Sequence, residues 1–236
     1  EGGTLDKYIG DAIVAMFGAP IPIEDHARVA CRSALRMQER QAALREKWRQ
    51  EGDRWPSIVG RMRTRIGLNS GYAVVGNMGS TTRFNYTMMG DTVNLAARSE
   101  SGAKSYGVYT MVSGETKEAA EKQGGDFVFR YLDRIIVKGR TQPVSMYEAV
   151  CLKESVTAET QKCVDVFQEG IEHYLLQRWD KALHCFRESS ACEWNNPKHD
   201  RWAQTNPSLV MIARCEMMKQ HPPDPDWDGV YRMTTK

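Results

Sequence analysis

The fold of this chain is decided first by the stretch Thr4-Leu-Asp-Lys-Tyr-Ile-Gly-Asp-Ala-Ile-Val-Ala-Met-Phe17. Two runs of strand-favouring residues flank Gly10-Asp11, a dipeptide typical of tight turns. The pattern therefore predicts a β-hairpin over residues 4–17. Asp25 follows as the expected N-cap of a long helix that ends near Gln50, and Trp55-Pro56 then breaks the helical pattern.

Strands and helices alternate along the chain after this first helix. Strands are predicted at 62–68, 71–75, 108–112, 127–132, 135–137 and 145–150. A loop rich in Gly, Ser, Thr and Asn is expected over 76–82. Helices are expected from Asp91 to Ser105 and from a Ser113 cap to about Gln123. This order predicts an α+β fold for residues 1–153, with a sheet covered by helices.

Residues 154–236 have a different character, because helical periodicity replaces the strands. Gly170, Ala182 and Phe186 lie at the spacings of a tetratricopeptide helix pair. A third helix is predicted around 208–219, and the prolines that follow it end helical structure. These residues are therefore predicted to form a small all-α helical appendage.

Composition narrows the function classes. Hydrophobic residues make up 41% and charged residues 26% of the 236 residues, as in ordinary globular proteins, and no apolar run approaches the ~20 residues of a membrane span. The net charge of +2 does not suggest nucleic-acid binding, which usually requires a strongly basic face. The six cysteines form no CxxC pair, which favours reduced and mostly buried thiols of a cytosolic protein.

Three clusters of residues could carry chemistry. In Lys7-x-x-Gly-Asp11, a carboxylate at a hairpin tip would suit Mg²⁺, although Gly-Asp is also an ordinary turn. On the helix expected from Asp91, Asn94 and Arg98 are i and i+4 neighbours that could hold a ribose and a phosphate, or could simply be solvated. In Val137-Lys138-Gly139-Arg140, a lysine beside a glycine could approach phosphates, or could be a plain hairpin lysine.

Taken together, the three clusters resemble the catalytic domain of class III nucleotidyl cyclases, the adenylyl and guanylyl cyclases, over about residues 1–150. The resemblance implies a ferredoxin-like cyclase sheet. It rests on blocks that occur in the family's order: Lys7-Tyr-Ile-Gly-Asp-Ala-Ile-Val-Ala-Met-Phe-Gly18, Arg65-Ile-Gly-Leu-Asn-Ser-Gly71, Gly76-Asn-Met-Gly79, Asn85-Tyr-Thr-Met-Met-Gly-Asp-Thr-Val-Asn-Leu-Ala-Ala-Arg98 and Val137-Lys-Gly139.

By this resemblance, Asp11 would be one of two aspartates that bind two Mg²⁺ or Mn²⁺ ions. Asn94 would orient the ribose, and Arg98 and Lys138 would hold the triphosphate. The family builds its sites from two protomers, so a head-to-tail homodimer is expected. The implied reaction is attack of the ribose 3′-hydroxyl on the α-phosphate of ATP, which gives cyclic AMP and pyrophosphate.

Lys7 and Thr87 would select the purine by the same resemblance. Adenine presents an acceptor at N1 and a donor at N6, which a lysine donor and a hydroxyl acceptor match. Guanine presents the opposite arrangement, and an unpaired buried polar group costs about 1–3 kcal/mol. A Lys/Thr pair is similar to the bacterial-type adenylyl cyclase branch.

The sequence departs from the family pattern at its first metal aspartate, for which these 236 residues contain no matching motif. Asp6 is interpreted as a surface residue of the hairpin. A polypeptide that begins at Glu1 is therefore expected to be inactive and to have part of its core exposed. The C-terminal segment resembles the extension of bacterial cyclases with an extracytoplasmic sensor. That resemblance implies a cytoplasmic domain, with membrane anchoring only through an upstream segment not contained in this chain.

Two other functions stay open at this point. One is a non-catalytic, cyclase-like domain that binds nucleotide or regulates a partner. The other is an interaction protein that uses the tryptophans of the appendage, although such aromatic residues usually pack internally. These tryptophans are Trp179, Trp194, Trp202 and Trp227. A diguanylate cyclase is disfavoured because its Gly-Gly-Asp/Glu-Glu-Phe hairpin does not occur, and kinases and P-loop proteins are disfavoured because their glycine-rich motifs do not occur.

Overall fold

The computed structural model describes residues 1–136, 142–198 and 203–231. Its strands are β1 Thr4–Ile9, β2 Ala12–Met16, β3 Ile66–Leu68, β4 Val74–Gly79, β5 Phe84–Met89, β6 Thr110–Ser113, β7 Phe127–Ile135 and β8 Val144–Leu152. Its α-helices are α1 His26–Gln50, α2 Asp91–Tyr106, α3 Gly114–Lys122, α4 Ala158–Leu175, α5 Trp179–Ala191 and α6 Pro207–Gln220. The expected α+β class is confirmed.

The strands of the N-terminal part form one sheet and two hairpins. The sheet has the order β3-β6-β8-β7, with β3 parallel to β6 and the other neighbours antiparallel. The strands β1 and β2 form one hairpin, and β4 and β5 form the other. Helix α2 packs directly on β3 because Gly67 has no side chain: a Cβ there would lie 2.2 Å from the Ala96 carbonyl oxygen. Leu95 on α2 and Met111 and Leu132 on the sheet belong to one buried core.

The hairpin of residues 4–17 is confirmed, but several expected boundaries are wrong. Residues 76–79 lie in β4 rather than in a loop, because β4 pairs along its whole length with β5, a strand that was not predicted. Only the end of the predicted 62–68 strand is a strand, and β7 is continuous from Phe127 to Ile135. Asp25 lies at the N-cap of α1 but makes no capping bond, since its carboxylate pairs with Arg28 at 3.2 Å.

The three predicted helices of the C-terminal part are present as α4, α5 and α6, which we call the helical extension. Gly170 on α4 packs against Phe186 on α5, where a Cβ would lie 2.7 Å from the ring. Trp179 and Trp227 both contact the ring of Tyr174, so these two tryptophans pack within the extension. Trp202 lies outside the described residues. The tetratricopeptide resemblance and the division into domains at residue 153 remain predictions.

Two buried arginine networks join the helical extension to the sheet. Arg130 on β7 binds Glu148 on β8 at 2.6 Å and Glu193, which follows α5, at 2.8 Å. Arg214 on α6 binds Asp133 on β7 at 2.5 Å. Buried charges of this kind must be paired, because removing one partner leaves the other charge unpaired in a medium of low polarity. The networks therefore fix the extension to the sheet.

The six cysteines are all free, and Cys31, Cys163, Cys185 and Cys215 are buried, as the sequence indicated. Burial raises the pKa of the Cys31 thiol to about 12 and that of Cys163 to about 11. These two thiols are therefore un-ionised at neutral pH. In the described part of the chain, no helix is both long enough and apolar enough to cross a membrane.

Candidate active site

The two hairpins bring the two predicted base-selecting residues together. Lys7 lies on β1 and Thr87 on β5, and they are 80 residues apart in sequence. The ammonium Nζ of Lys7 donates a hydrogen bond of 2.8 Å to the Thr87 hydroxyl Oγ1. Thr87 is buried, with 7% of its surface exposed. The pair therefore forms a compact polar site at the junction of the hairpins.

Asp6 is the third member of this site. The Thr87 hydroxyl donates a hydrogen bond of 2.8 Å to Asp6 Oδ2, and Lys7 Nζ lies 3.5 Å from the same oxygen. The Asp6 side chain is only 2% exposed, so its interpretation as hairpin surface is wrong. The cause is an irregularity of the β1–β2 ladder: Leu5 pairs with Ala15 and Lys7 with Val14, so Asp6 is an extra residue.

Such a bulge changes the direction of side chains, so that neighbouring residues no longer point to opposite faces. In a regular strand, Asp6 and Lys7 would alternate between faces, and only one of them could reach Thr87. The glycines nearest to Asp6 are Gly3 and Gly10, and neither lies in the bulge, so the local composition did not signal it. For this reason sequence analysis missed Asp6.

Asp11 lies in the exposed turn of the first hairpin. Gly10 precedes it with φ 63°, a left-handed conformation that glycine adopts without strain. An exposed carboxylate suits Mg²⁺ or Mn²⁺, which prefer oxygen ligands, so Asp11 fits as one ligand of such an ion.

The described residues do not complete a metal site around Asp11. Within the described ranges, one group of three ligating side chains has its ligand atoms within 4.8 Å of one another: Glu169, His173 and Cys185 of the helical extension. A thiolate and an imidazole are soft or intermediate ligands and do not suit Mg²⁺. This group is therefore distinct from the predicted catalytic metal site.

Asn94 and Arg98 lie one turn apart on α2, as expected. Asn94 is exposed and Arg98 is half-buried. Gly90, with φ 145°, forms the sharp junction between β5 and this helix, so the helix begins four residues after Thr87. In the described part of the chain, neither the Asn94 nor the Arg98 side chain makes a hydrogen bond or ion pair, so both are free to bind a ligand. Lys138 lies outside the described residues.

Comparison with known proteins identifies the family. Residues 6–152 match the family model described as the adenylate and guanylate cyclase catalytic domain. The chain belongs to this family. It is 39% identical over 155 residues, or 65% of its length, to adenylate cyclase 1 of Rhizobium meliloti, of which it covers 22%. It is 30% identical over 219 residues to the terminal-differentiation-specific adenylate cyclase of Dictyostelium discoideum, covering 91% of this chain and 9% of that protein.

Comparison with solved structures supports the same family. The fold matches the crystal structure of the adenylyl cyclase CyaB of P. aeruginosa with a TM-score of 0.55 and 33% identity, over 66% of this chain and 76% of that one. The chain thus spans less than a quarter of the length of the two sequence relatives named above. The Dictyostelium alignment is longer than the 147 residues of the family match, so similarity to that protein continues into the helical extension.

Proposed function

We propose that this chain is the catalytic part of an adenylyl cyclase, which converts ATP to 3′,5′-cyclic AMP and pyrophosphate. The observation that carries the proposal is the hydrogen bond of 2.8 Å between Lys7 Nζ and Thr87 Oγ1. It holds a donor and a hydroxyl side by side at the spacing of neighbouring groups on the edge of a purine. Adenylate cyclases among the sequence relatives support the same substrate.

The pair discriminates between purines by hydrogen-bond complementarity. Lys7 donates to N1 of adenine, which carries a lone pair, and Thr87 accepts from the N6 amino group. Guanine has a proton at N1 and a carbonyl at C6, so it leaves the lysine facing a donor. A mismatch of this kind, once the nucleotide covers the site, costs about 1–3 kcal/mol, or about a fivefold to 150-fold preference.

The reaction is an intramolecular phosphoryl transfer. The 3′ oxygen forms a bond to the α-phosphorus while the bond from that phosphorus to the bridging oxygen breaks, and the 3′ proton passes to solvent. In our assignment Asn94 holds the ribose so that the 3′ oxygen is aligned for attack. Arg98 stabilises the negative charge that develops on the α-phosphate, and Lys138 binds the triphosphate.

Asp11 supplies a carboxylate for the two Mg²⁺ or Mn²⁺ ions that this reaction uses. Bound there, the ions would neutralise phosphate charge and favour ionisation of the 3′ hydroxyl. Only one ligand is assigned within this chain, so the proposal includes a second carboxylate from elsewhere in the natural protein.

The proposed assembly is a homodimer, and the hairpins are the surfaces that would meet. Both hairpins expose large apolar side chains, a feature typical of surfaces that bind another protein. They are Leu5, Tyr8, Ile9 and Ile13 on the first hairpin and Val74, Phe84, Tyr86 and Met89 on the second. The cytoplasm, which contains ATP, is the proposed location of this part of the protein.

The test is cyclic nucleotide formation by the full-length natural protein with Mg²⁺ or Mn²⁺. We expect cyclic AMP from ATP, with at least a hundredfold loss of kcat in Asp11→Ala and Arg98→Ala. Arg40→Ala, at an exposed position of α1, is the matched control and should retain activity. Lys7→Glu combined with Thr87→Cys should shift the preference from ATP towards GTP.

The outcomes distinguish the proposed enzyme from its alternative. ATP binding without product, under conditions where the protein is dimeric and metal is present, would instead support a non-catalytic nucleotide-binding domain. An unchanged preference for ATP in the double variant would show that Lys7 and Thr87 do not select the base.

A further inference from the structure

We propose that Asp6 is a specificity-determining positioning residue, which fixes the Thr87 hydroxyl as a hydrogen-bond acceptor towards the base. The inference rests on the base selection proposed above and adds a residue to it. Asp6 itself belongs to neither of the two base-selecting positions. Its contribution comes from the direction in which it holds the proton of Thr87.

The direction follows from which groups can donate. A lysine ammonium has three donors and no acceptor, and an ionised carboxylate has only acceptors. The Thr87 hydroxyl lies 2.8 Å from both Lys7 Nζ and Asp6 Oδ2. Its single proton must therefore point to Asp6, because it cannot point to Lys7. The hydroxyl then offers only lone pairs to any third group.

Without Asp6, the hydroxyl of Thr87 could rotate. A threonine hydroxyl both donates and accepts, so it could turn its proton towards the C6 carbonyl of guanine as readily as it accepts from the amino group of adenine. A freely rotating hydroxyl is thus a poor discriminator. Asp6 prevents the Thr87 hydroxyl from donating to the base and leaves it only as an acceptor, which matches the amino group of adenine.

The burial of Asp6 supports this role. Its side chain is 2% exposed, and its second oxygen, Oδ1, is buried without a hydrogen-bond partner among the described residues. An unpaired buried oxygen is costly, so a donor from outside the chain would be favoured there. The oxygen adds another acceptor beside Thr87. With its proton held by Asp6, the Thr87 hydroxyl offers no donor to a guanine carbonyl.

The experiment measures the preference for ATP over GTP in the full-length protein in two ways. The first is kcat/KM for ATP divided by kcat/KM for GTP. The second is the Kd of GTP divided by the Kd of ATP, each measured in competition with a fluorescent ATP analogue. We expect Asp6→Ala to lower both ratios at least tenfold. Asp6→Asn should lower both ratios by less than Asp6→Ala does, because the amide oxygen can still accept the Thr87 proton, although the amide NH2 group can also turn towards the hydroxyl. Asp53→Asn, at an exposed position, is the matched control.

A second background separates this inference from the proposed function. Thr87→Val removes the hydroxyl and should itself lower the preference at least tenfold, and adding Asp6→Ala to it should change nothing further. If Thr87→Val shifts the preference but Asp6→Ala does not, or if the two effects simply add, the role of Asp6 is refuted and base selection by Thr87 stands. If Thr87→Val leaves the preference unchanged, both assignments fail.

A merely structural role would have a different signature. In that case Asp6→Ala would weaken ATP and GTP by the same factor and leave the ratios unchanged, which would overturn the proposal. If Asp6→Ala does not fold, Asp6→Ser replaces it, because a serine hydroxyl can donate or accept and does not fix the direction of its neighbour. The same loss of preference is expected, and its absence would refute the inference.

Discussion

Replacing Arg130 by methionine tests how firmly the helical extension is fixed to the sheet. Arg130 is 1% exposed and binds Glu148 through two nitrogens, at 3.0 and 2.6 Å, and Glu193 through a third, at 2.8 Å. Its guanidinium also lies 4.5 Å from the ring centroid of Trp194. Methionine keeps most of the volume and removes the charge, which leaves two carboxylates close together in a buried site.

The expected cost follows from that arrangement. Breaking a buried charged pair by removing one partner costs about 3–5 kcal/mol. For a chain of this size each kcal/mol lowers Tm by about 2–4 °C, so Arg130→Met should lower Tm by about 6–20 °C. Arg134→Met, an exposed position on the same strand, is the matched control and should change stability by less than about 0.5 kcal/mol.

The effect should also depend on pH, because burial raises the pKa of Glu148, and Glu193 raises it further while Arg130 lowers it. In Arg130→Met the lowering influence is gone. A carboxyl whose folded pKa is raised stabilises the fold below its unfolded pKa, and that stabilisation is lost as the pH rises through the folded pKa. The deficit of the variant should therefore be smaller at pH 5 than at pH 8.

The assay is urea unfolding of the chain, followed by circular dichroism at the two pH values. A loss of less than about 1 kcal/mol at pH 8 would refute the view that the network holds the extension and sheet together. A deficit that grows as the pH falls would refute the account of the buried carboxylates.

The remaining predictions concern packing and a surface ion pair. Gly170→Ala should lower the free energy of unfolding in urea by about 1–3 kcal/mol, because the new Cβ would lie 2.7 Å from the Phe186 ring. Gly102→Ala is the control, because its new Cβ would have its nearest neighbour 3.9 Å away; it should raise the free energy of unfolding by about 0.5–1 kcal/mol. Asp126→Asn should cost about 1 kcal/mol at pH 7, because hydrogen bonds from Arg28 lower the pKa of Asp126. Because the pKa of Asp126 is lowered in the folded chain, its stabilisation is fully present above the ordinary aspartate pKa and is lost as the pH falls through the lowered pKa. The difference from the natural chain should therefore shrink steadily as the solution is acidified below the ordinary aspartate pKa; a difference that stays constant there would contradict this assignment.

The elements that the sequence predicted well are those whose signals are local. Helix α2 begins at Asp91, as predicted, and ends before Gly107, which has φ 69° and forms a left-handed cap. Ser113 caps α3 through a hydrogen bond from the Thr116 amide. The helices of the extension likewise follow from periodicity over three or more turns. Each of these signals acts within a few residues, so no knowledge of the fold was needed.

The missed features depend on residues that are distant in sequence. The full length of β4 escaped prediction because Gly76, Asn77 and Gly79 have low strand propensity, although they pair with β5 in the ladder. Strand β5 was also missed, although Phe84 and Tyr86 favour strands. Arg130 and its partner Glu193 are separated by 63 residues, and charged side chains resemble surface residues in any local pattern. The bulge at Asp6 is a third example, since a register shift in a hairpin leaves no compositional trace here.

The candidate site and the helical extension are held by different physical means, which bears on what mutations in each will do. The proposed base-selecting group lies between two hairpins that form separate ladders outside the four-stranded sheet and expose apolar side chains. Its geometry is fixed by three hydrogen-bonding residues within one small area, so a change at Lys7, Thr87 or Asp6 should alter which purine binds before it alters the fold. The extension is fixed by buried charges and dense aromatic packing. Changes there should therefore lower the stability of the fold and leave the preference between ATP and GTP unchanged. A variant of Arg130 that changed the ATP to GTP ratio without changing Tm would show that this separation is false.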